Sequence, residues 1–231
     1  MKLNEIVWRI LAAALVAVPV SAVGQTRVLA VHPYSVLGIR TDRSAGVSFG
    51  DIDRDGDLDA VVANGRHWAQ ENEVFFNNGL GTFTASLPLS LTRSTSYAAP
   101  LADFDRDGDL DVAVANDRAP NRVYSNDGNG RFEDAGTFGD ETAPARSLTV
   151  ADMDGDGFLD LLVTNRGAEN AIYLNDGYAV FSRRVPFGTA DDATISVAVG
   201  DVDGDGDRDL VLANREGQPN FVYLNGGALE F

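Results

Sequence analysis

Gly50-Asp-Ile-Asp-Arg-Asp-Gly-Asp-Leu-Asp59 sets an aspartate at every second position from Asp51 to Asp59, with Gly56 between the third and fourth, and the pattern returns three more times. The copies read Ala102-Asp-Phe-Asp-Arg-Asp-Gly-Asp-Leu-Asp111, Ala151-Asp-Met-Asp-Gly-Asp-Gly-Phe-Leu-Asp160 and Gly200-Asp-Val-Asp-Gly-Asp-Gly-Asp-Arg-Asp209. Their first aspartates recur at intervals of about 50 residues, which marks a tandem array of one unit. Each run leads into an apolar stretch that ends on Asn64, Asn116, Asn165 or Asn214. A second matched segment follows, closing on Asn77, Asn126, Asn175 and Asn225, and its aromatic positions are Phe75, Tyr124, Tyr173 and Tyr223. A glycine turn and a phenylalanine come next in three copies, at Gly79 and Phe83, Gly128 and Phe132, Gly177 and Phe181.

Within a unit the apolar segments are short, as at 47–50, 60–63, 74–77 and 82–84. They are rich in Val, Phe and Tyr and bounded by polar or glycine turns, the pattern of antiparallel strands. Outside residues 10–18 nothing carries helical spacing over the length a solvated helix needs. Four short strands per unit predict an all-β fold, a β-propeller of four visible four-stranded antiparallel blades. One blade cannot bury both of its faces, so neighbours must stack. The inner strands are placed at 46–50, 97–102, 147–151 and 196–200, just before the acidic runs.

Alternate aspartates turn their carboxylates inward only when the chain coils around a central charge, because like charges so close repel. The glycine supplies the tight turn, and the last aspartate closes the shell from the start of the next strand. The expected ligands are Asp51, Asp53, Asp55, Asp57 and Asp59; Asp103, Asp105, Asp107, Asp109 and Asp111; Asp152, Asp154, Asp156, Phe158 and Asp160; Asp201, Asp203, Asp205, Asp207 and Asp209. The seventh position of each run is read as a backbone carbonyl ligand, which is why Phe158 is tolerated there. An all-oxygen shell of this irregular kind suits calcium, one ion per loop and about four in all; magnesium holds its waters and a stricter octahedron. An EF-hand would need a glutamate at loop position twelve and flanking helices. Val62, Val114, Val163 and Leu212 stand there instead.

The 231 residues carry 35 acidic against 18 basic side chains, a net charge of -17, and more than half of the acids lie in the four runs. Hydrophobic residues make up 44%, too many for an acidic disordered tail. So negative a chain repels a phosphate backbone, so no nucleic-acid partner is expected. The absence of cysteine removes disulfides, zinc-thiolate sites and thiol catalysis, and His32 and His67 are the only histidines.

Residues 1–24 begin with Lys2, Glu5 and Arg9, run apolar from Ile10 to Val20, and end on Ser21, Ala22 and Gly24. This is the layout of a secretory signal peptide, too short in its apolar part for a stable membrane span. The expected location is therefore secreted, periplasmic or cell-surface. Residues 25–45 form an atypical N-terminal segment with strand patterns at 27–31 and 36–39; residues 46–231 hold the repeats, with blades at about 46–96, 97–146, 147–195 and 196–231.

The run Asp-x-Asp-x-Asp-Gly-x-x-Asp, four times over, resembles the FG-GAP/VCBS repeat family, the calcium-loop blades also found in integrin alpha-subunit propellers. The Asn-Asp-Gly turns at 126–128 and 175–177 resemble its bacterial members. The resemblance spans about residues 45–231 and implies the propeller fold and calcium. For function it implies only a range: adhesion, glycan binding or an enzyme scaffold. Family propellers usually have seven blades and four are visible here. A closed four-bladed ring completed by 25–45, an open arc and self-association of two chains all stay open.

Among other residues, Arg66, His67 and Trp68 place a cation beside an aromatic in one loop, which reads first as the packed lid of an end blade and otherwise as a surface to stack on a sugar or to form an interface. The asparagine series reads as turn caps and the tyrosine series as core. Glu71, Glu73, Glu133, Asp134, Asp140, Glu141, Asp191 and Asp192 show no spacing that singles out a catalytic pair, and no catalytic residue is assigned. The expected function is a non-enzymatic, calcium-binding module for a glycan or extracellular protein. The alternative is the non-catalytic propeller portion of an extracellular polysaccharide-active enzyme, or a weakly marked enzyme of that kind.

Overall fold

The structure, a computed structural model, describes residues 37, 38 and 41–231. The expected signal peptide at 1–24 and the strand patterns expected at 27–31 and 36–39 lie outside the described residues, apart from Leu37 and Gly38. Those two belong to no strand. All of the regular structure among the described residues is β-strand.

Four antiparallel sheets follow one another along the chain. The first holds β1 (Ser44–Gly50), β2 (Asp59–Asn64), β3 (Glu73–Asn77) and β4 (Phe83–Pro88). The second holds β5 (Ser96–Ala98), β6 (Leu101–Ala102), β7 (Asp111–Asn116), β8 (Asn121–Asn126) and β9 (Phe132–Phe138). The third holds β10 (Ala145–Ala151), β11 (Asp160–Asn165), β12 (Asn170–Leu174) and β13 (Arg183–Phe187). The fourth is three-stranded, with β14 (Thr194–Gly200), β15 (Asp209–Asn214) and β16 (Phe221–Tyr223). The inner strand expected at 97–102 is split into β5 and β6. Pro100 lies in the gap and has no amide to give the ladder.

The two faces of each strand serve two different cores, because successive side chains point to opposite sides. On β2, Val61 and Ala63 join Ile52 and Val74 against Ala99, Val112, Val114 and Tyr124 of the second sheet. Ala60 and Val62 lie on the other face with Phe75. The same division recurs between the second and third sheets, where Phe104, Val123 and Phe138 meet Leu161, Val163 and Tyr173. Between the third and fourth sheets, Leu162, Ile172 and Leu174 meet Val197, Leu210 and Leu212.

The faces at the two ends of this stack differ from the interior ones. Val47 and Phe49 on the first sheet, and Val211 and Val222 on the fourth, are exposed, whereas Leu148 and Val197, which match Val47 in register, are buried. No closed ring is formed by the described strands. Part of the first face is occupied by Gly38, where a Cβ would stand 3.1 Å from the Phe75 ring.

Candidate metal centres

Each acidic run leaves an inner strand and re-enters the sheet at its last aspartate. Two residues in each loop take positive φ: Arg54, Arg106, Gly155 and Gly204 at the fourth place, Gly56, Gly108, Gly157 and Gly206 at the sixth. These left-handed steps wind the chain into a coil that aims carboxylates inward. The first aspartate accepts the amide of the sixth residue, as from Gly56 to Asp51 at 3.2 Å and from Gly157 to Asp152 at 3.0 Å. The fifth caps the next turn, with Asp109 donating its amide to Asp107 Oδ1 at 2.8 Å.

The ninth aspartate is fully buried in all four units and ties two segments together. Asp111 accepts the amides of Phe104 and Asn126, both at 3.0 Å. Asp160 accepts those of Met153 at 2.7 Å and Asn175 at 2.9 Å. Asp59 does the same with Ile52 and Asn77, and Asp209 with Val202 and Asn225. One carboxylate therefore fixes the loop to the end of the third strand.

The structure gathers the first, third and ninth aspartates of every loop. Carboxylate oxygens of Asp51, Asp53 and Asp59 lie within 4.8 Å of one another, as do those of Asp103, Asp105 and Asp111, of Asp152, Asp154 and Asp160, and of Asp201, Asp203 and Asp209. Asp51 Oδ1 and Asp103 Oδ1 are buried without any hydrogen-bond donor, a costly state for an anion unless a cation completes it. The donors are oxygens throughout, so each of the four clusters can chelate a hard metal ion. The fifth aspartates, Asp55, Asp107, Asp156 and Asp205, fall outside these close groups.

Charge crowding shows in the acidities. Burial raises the Asp53 carboxyl, and the carboxylates of Asp59 and Asp55 raise it further. Burial pushes Asp111 and Asp160 up to about 6, against the pull of their two amides. At Asp209 the same kind of amide pair, from Asn225 and Val202, wins and the carboxyl is lowered.

Sequence reasoning missed how these loops hold neighbouring sheets together. The second residue of each run is apolar: Ile52, Phe104 and Met153 are buried against the following sheet, while Val202, with no sheet beyond it, is 56% exposed. Asn126 donates its side-chain amide back to Ile52 O at 2.8 Å, and Asn175 to Phe104 O at 2.8 Å, so the third strands of the second and third sheets grip the preceding loop. In the second and third loops the seventh side chain meets the preceding loop. Arg54 reaches Asp109 at 2.5 Å, and Arg106 lies 3.9 Å over the Phe158 ring. A repeated apolar residue at the second place and Arg54 and Arg106 at the fourth were the available signals.

The asparagine series closes the turns at the other end of the strands. Asn165 donates its backbone amide to Asn170 Oδ1 at 2.7 Å and its side-chain amide to Glu169 O at 2.8 Å. Asn116 and Asn214 repeat this arrangement. Trp68 is exposed with Arg43 5.5 Å over its ring, and His67 meets Tyr97 edge-on at 6.5 Å.

Comparison with known proteins gives the same unit. Residues 51–114, 103–163 and 152–212 each match the FG-GAP-like repeat. The chain belongs to this family. Like its relatives of known structure, this FG-GAP-like chain has the propeller type of fold. It is similar to BBS1N, solved in complex with ARL6DN, at 17% identity and a TM-score of 0.51 over 78% of this chain and 54% of that one. It is also similar to the V. cholerae biofilm matrix protein Bap1, at 19% identity and a TM-score of 0.47 over 75% of this chain and 29% of that one. The chain thus spans about half or less of the structures it matches. No curated protein sequence matches it.

Proposed function

We propose that this chain is an exported, calcium-stabilised propeller module that binds a glycan or an extracellular protein and catalyses no reaction. The observation that carries the calcium assignment is the set of buried carboxylate oxygens without donors, Asp51 Oδ1 and Asp103 Oδ1, inside all-oxygen coils. Asp51, Asp53, Asp55 and Asp59 with the carbonyl of Asp57 form the first ligand set, and the other three loops follow it position by position through Asp109, Phe158 and Asp207. Calcium tolerates six to eight irregular oxygens, and extracellular modules bind it weakly enough to match calcium-rich surroundings. Export rests on the signal pattern at 1–24. No helix among the described residues is long and apolar enough to cross a membrane.

Binding is favoured over catalysis by what four of the acids outside the loops do. Asp117 pairs with Arg146 at 3.1 Å and Glu169 with Arg184 at 2.6 Å, while Asp134 and Glu216 are taken up by Arg122 and Arg166. A carboxylate locked to a guanidinium is a poor general acid or base. The reading is tested by calorimetric titration of the metal-free chain with calcium, with magnesium as the control. About four sites and a strong rise in thermal stability with calcium alone are expected. A folded chain that binds no calcium overturns the metal assignment.

A further inference from the structure

At the end of the inner strands away from the acidic loops, the four sheets share one irregularity. Pairing with the second strand passes from Ser44 to Gly46, from Ser96 to Ala98, from Ala145 to Ser147 and from Thr194 to Ser196. The skipped residues are Ala45, Tyr97, Arg146 and Ile195, the same place in each unit. A bulge turns its residue out of the ladder and re-aims the side chain. All four line a single cavity of about 340 Å3, together with Arg66 and Arg215.

Three arginines around one cavity are unexpected in a chain of net charge -17. Arg146 is held in place: it lies 4.5 Å over the Tyr97 ring, pairs with Asp117 at 3.1 Å and leaves its side chain only 13% exposed. Arg66 and Arg215 have no acidic partner among the described residues. With Asp117 counted against Arg146, the cavity keeps an excess of positive charge. A planar guanidinium fork matches a carboxylate or sulfate in two parallel hydrogen bonds. His67 and Trp68 follow Arg66 directly in sequence; Trp68 is exposed, with Arg43 over its ring, and stands outside the cavity lining.

We infer that this cavity binds the oxyanion of an acidic saccharide, a carboxylate or a sulfate ester. The inference rests on the glycan reading above and gives it a place and a charge. The metal coils do not require arginine at Arg66, Arg146 or Arg215; an arginine follows the strand-end asparagine in every unit, at Arg66, Arg118, Arg166 and Arg215, but Arg118 and Arg166 do not line the cavity. Alanine and isoleucine fill the skipped position in the first and fourth sheets.

The test titrates the calcium-loaded chain with three hexasaccharides: galacturonate, a sulfated glycosaminoglycan fragment and neutral galactose. At low salt an acidic hexamer is expected to bind at least tenfold more tightly than the neutral one. The double variant Arg66→Gln/Arg215→Gln should lose that advantage with its thermal midpoint in calcium unchanged. The tighter of the two acidic probes then assigns carboxylate or sulfate. Acidic binding that survives intact in the double variant overturns the inference, since calcium at the opposite loops would then be holding the uronate. Neutral and acidic hexamers bound equally would overturn it too, yet leave the glycan reading standing. No binding of any hexamer to the folded, calcium-loaded chain sinks both.

Discussion

The two ends of the sheets obey different rules. At the loop end four units repeat the same aspartates, the same left-handed steps and the same pair of amides on the ninth carboxylate. At the other end the asparagine pairs still repeat, but the skipped residue is Ala45, Tyr97, Arg146 or Ile195, a different side chain in every unit. Where the sequence repeats, each unit solves the same local problem: it must coil a negative loop and fasten it to the third strand. Where the repeat breaks, the residues meet at a place that belongs to no single unit. The contrast separates what holds the chain together from what it presents.

The largest effect is expected at the loop end. Asp111→Ala removes the acceptor for the buried amides of Phe104 and Asn126 along with one carboxylate of a cluster that can chelate a metal. Each stranded donor costs about 1–3 kcal/mol, so a loss of roughly 4 kcal/mol is expected by urea unfolding in calcium. Asp209→Ala should cost about half as much, because Val202 beside it is already open to water and its freed amide can be hydrated. Equal losses would show that the ninth aspartate acts only through the metal, with no share for its amides.

Acidity gives the second test. In the metal-free chain Asp111 and Asp160 sit near 6 where an unperturbed aspartate is at 3.8. Between those values the folded state binds more protons than the unfolded state, so stability must fall as pH rises. The penalty is absent below pH 4 and complete above pH 6. At about 1.4 kcal/mol per unit it amounts to roughly 3 kcal/mol for each carboxyl. Calcium favours the ionised form and should reverse the slope over the same window. Unfolding midpoints measured at pH 4.5 and 7, with chelator and with calcium, check the sign. A metal-free chain that gains stability toward pH 7 would contradict the burial of these two groups.

Much of the loop end was legible in advance because its chemistry is local. The spacing of Asp51, Asp53 and Asp59 dictates a coil, and Gly56 dictates where it turns. The strands around Phe75, Tyr124, Tyr173 and Tyr223 followed from short apolar segments between turns. What escaped were relations between units. That Ile52 and Phe104 plug the following sheet, or that Asn126 reaches back to Ile52 O, depends on stacking that one unit does not encode. The break between β5 and β6 had a local cause in Pro100 and was nonetheless passed over. The cavity was the hardest to see. Its residues are scattered from Ala45 to Arg215, and only the bulges bring them together.

The smallest effect lies between adjacent loops, where a sequence difference inside the chain already poses the question. In the first pair Arg54 reaches Asp109; in the second pair Arg106 lies over Phe158, the residue that stands where the other loops have aspartate. A guanidinium meets a carboxylate in one case and an aromatic face in the other, from the same place in the loop. Arg54 is half exposed, so solvent screens its charge and Arg54→Gln should cost about 1 kcal/mol or less. Asp109 is the more buried partner, and leaving it unpaired accounts for most of that cost. A double-mutant cycle of Arg54→Gln with Asp109→Asn separates the two, with a coupling of about 0.5–1 kcal/mol expected by urea unfolding in calcium. A coupling near zero would mean that the contact between these loops is carried by Ile52 and the Asn126 hydrogen bond. The arginine would then be a consequence of the stacking and not a cause of it.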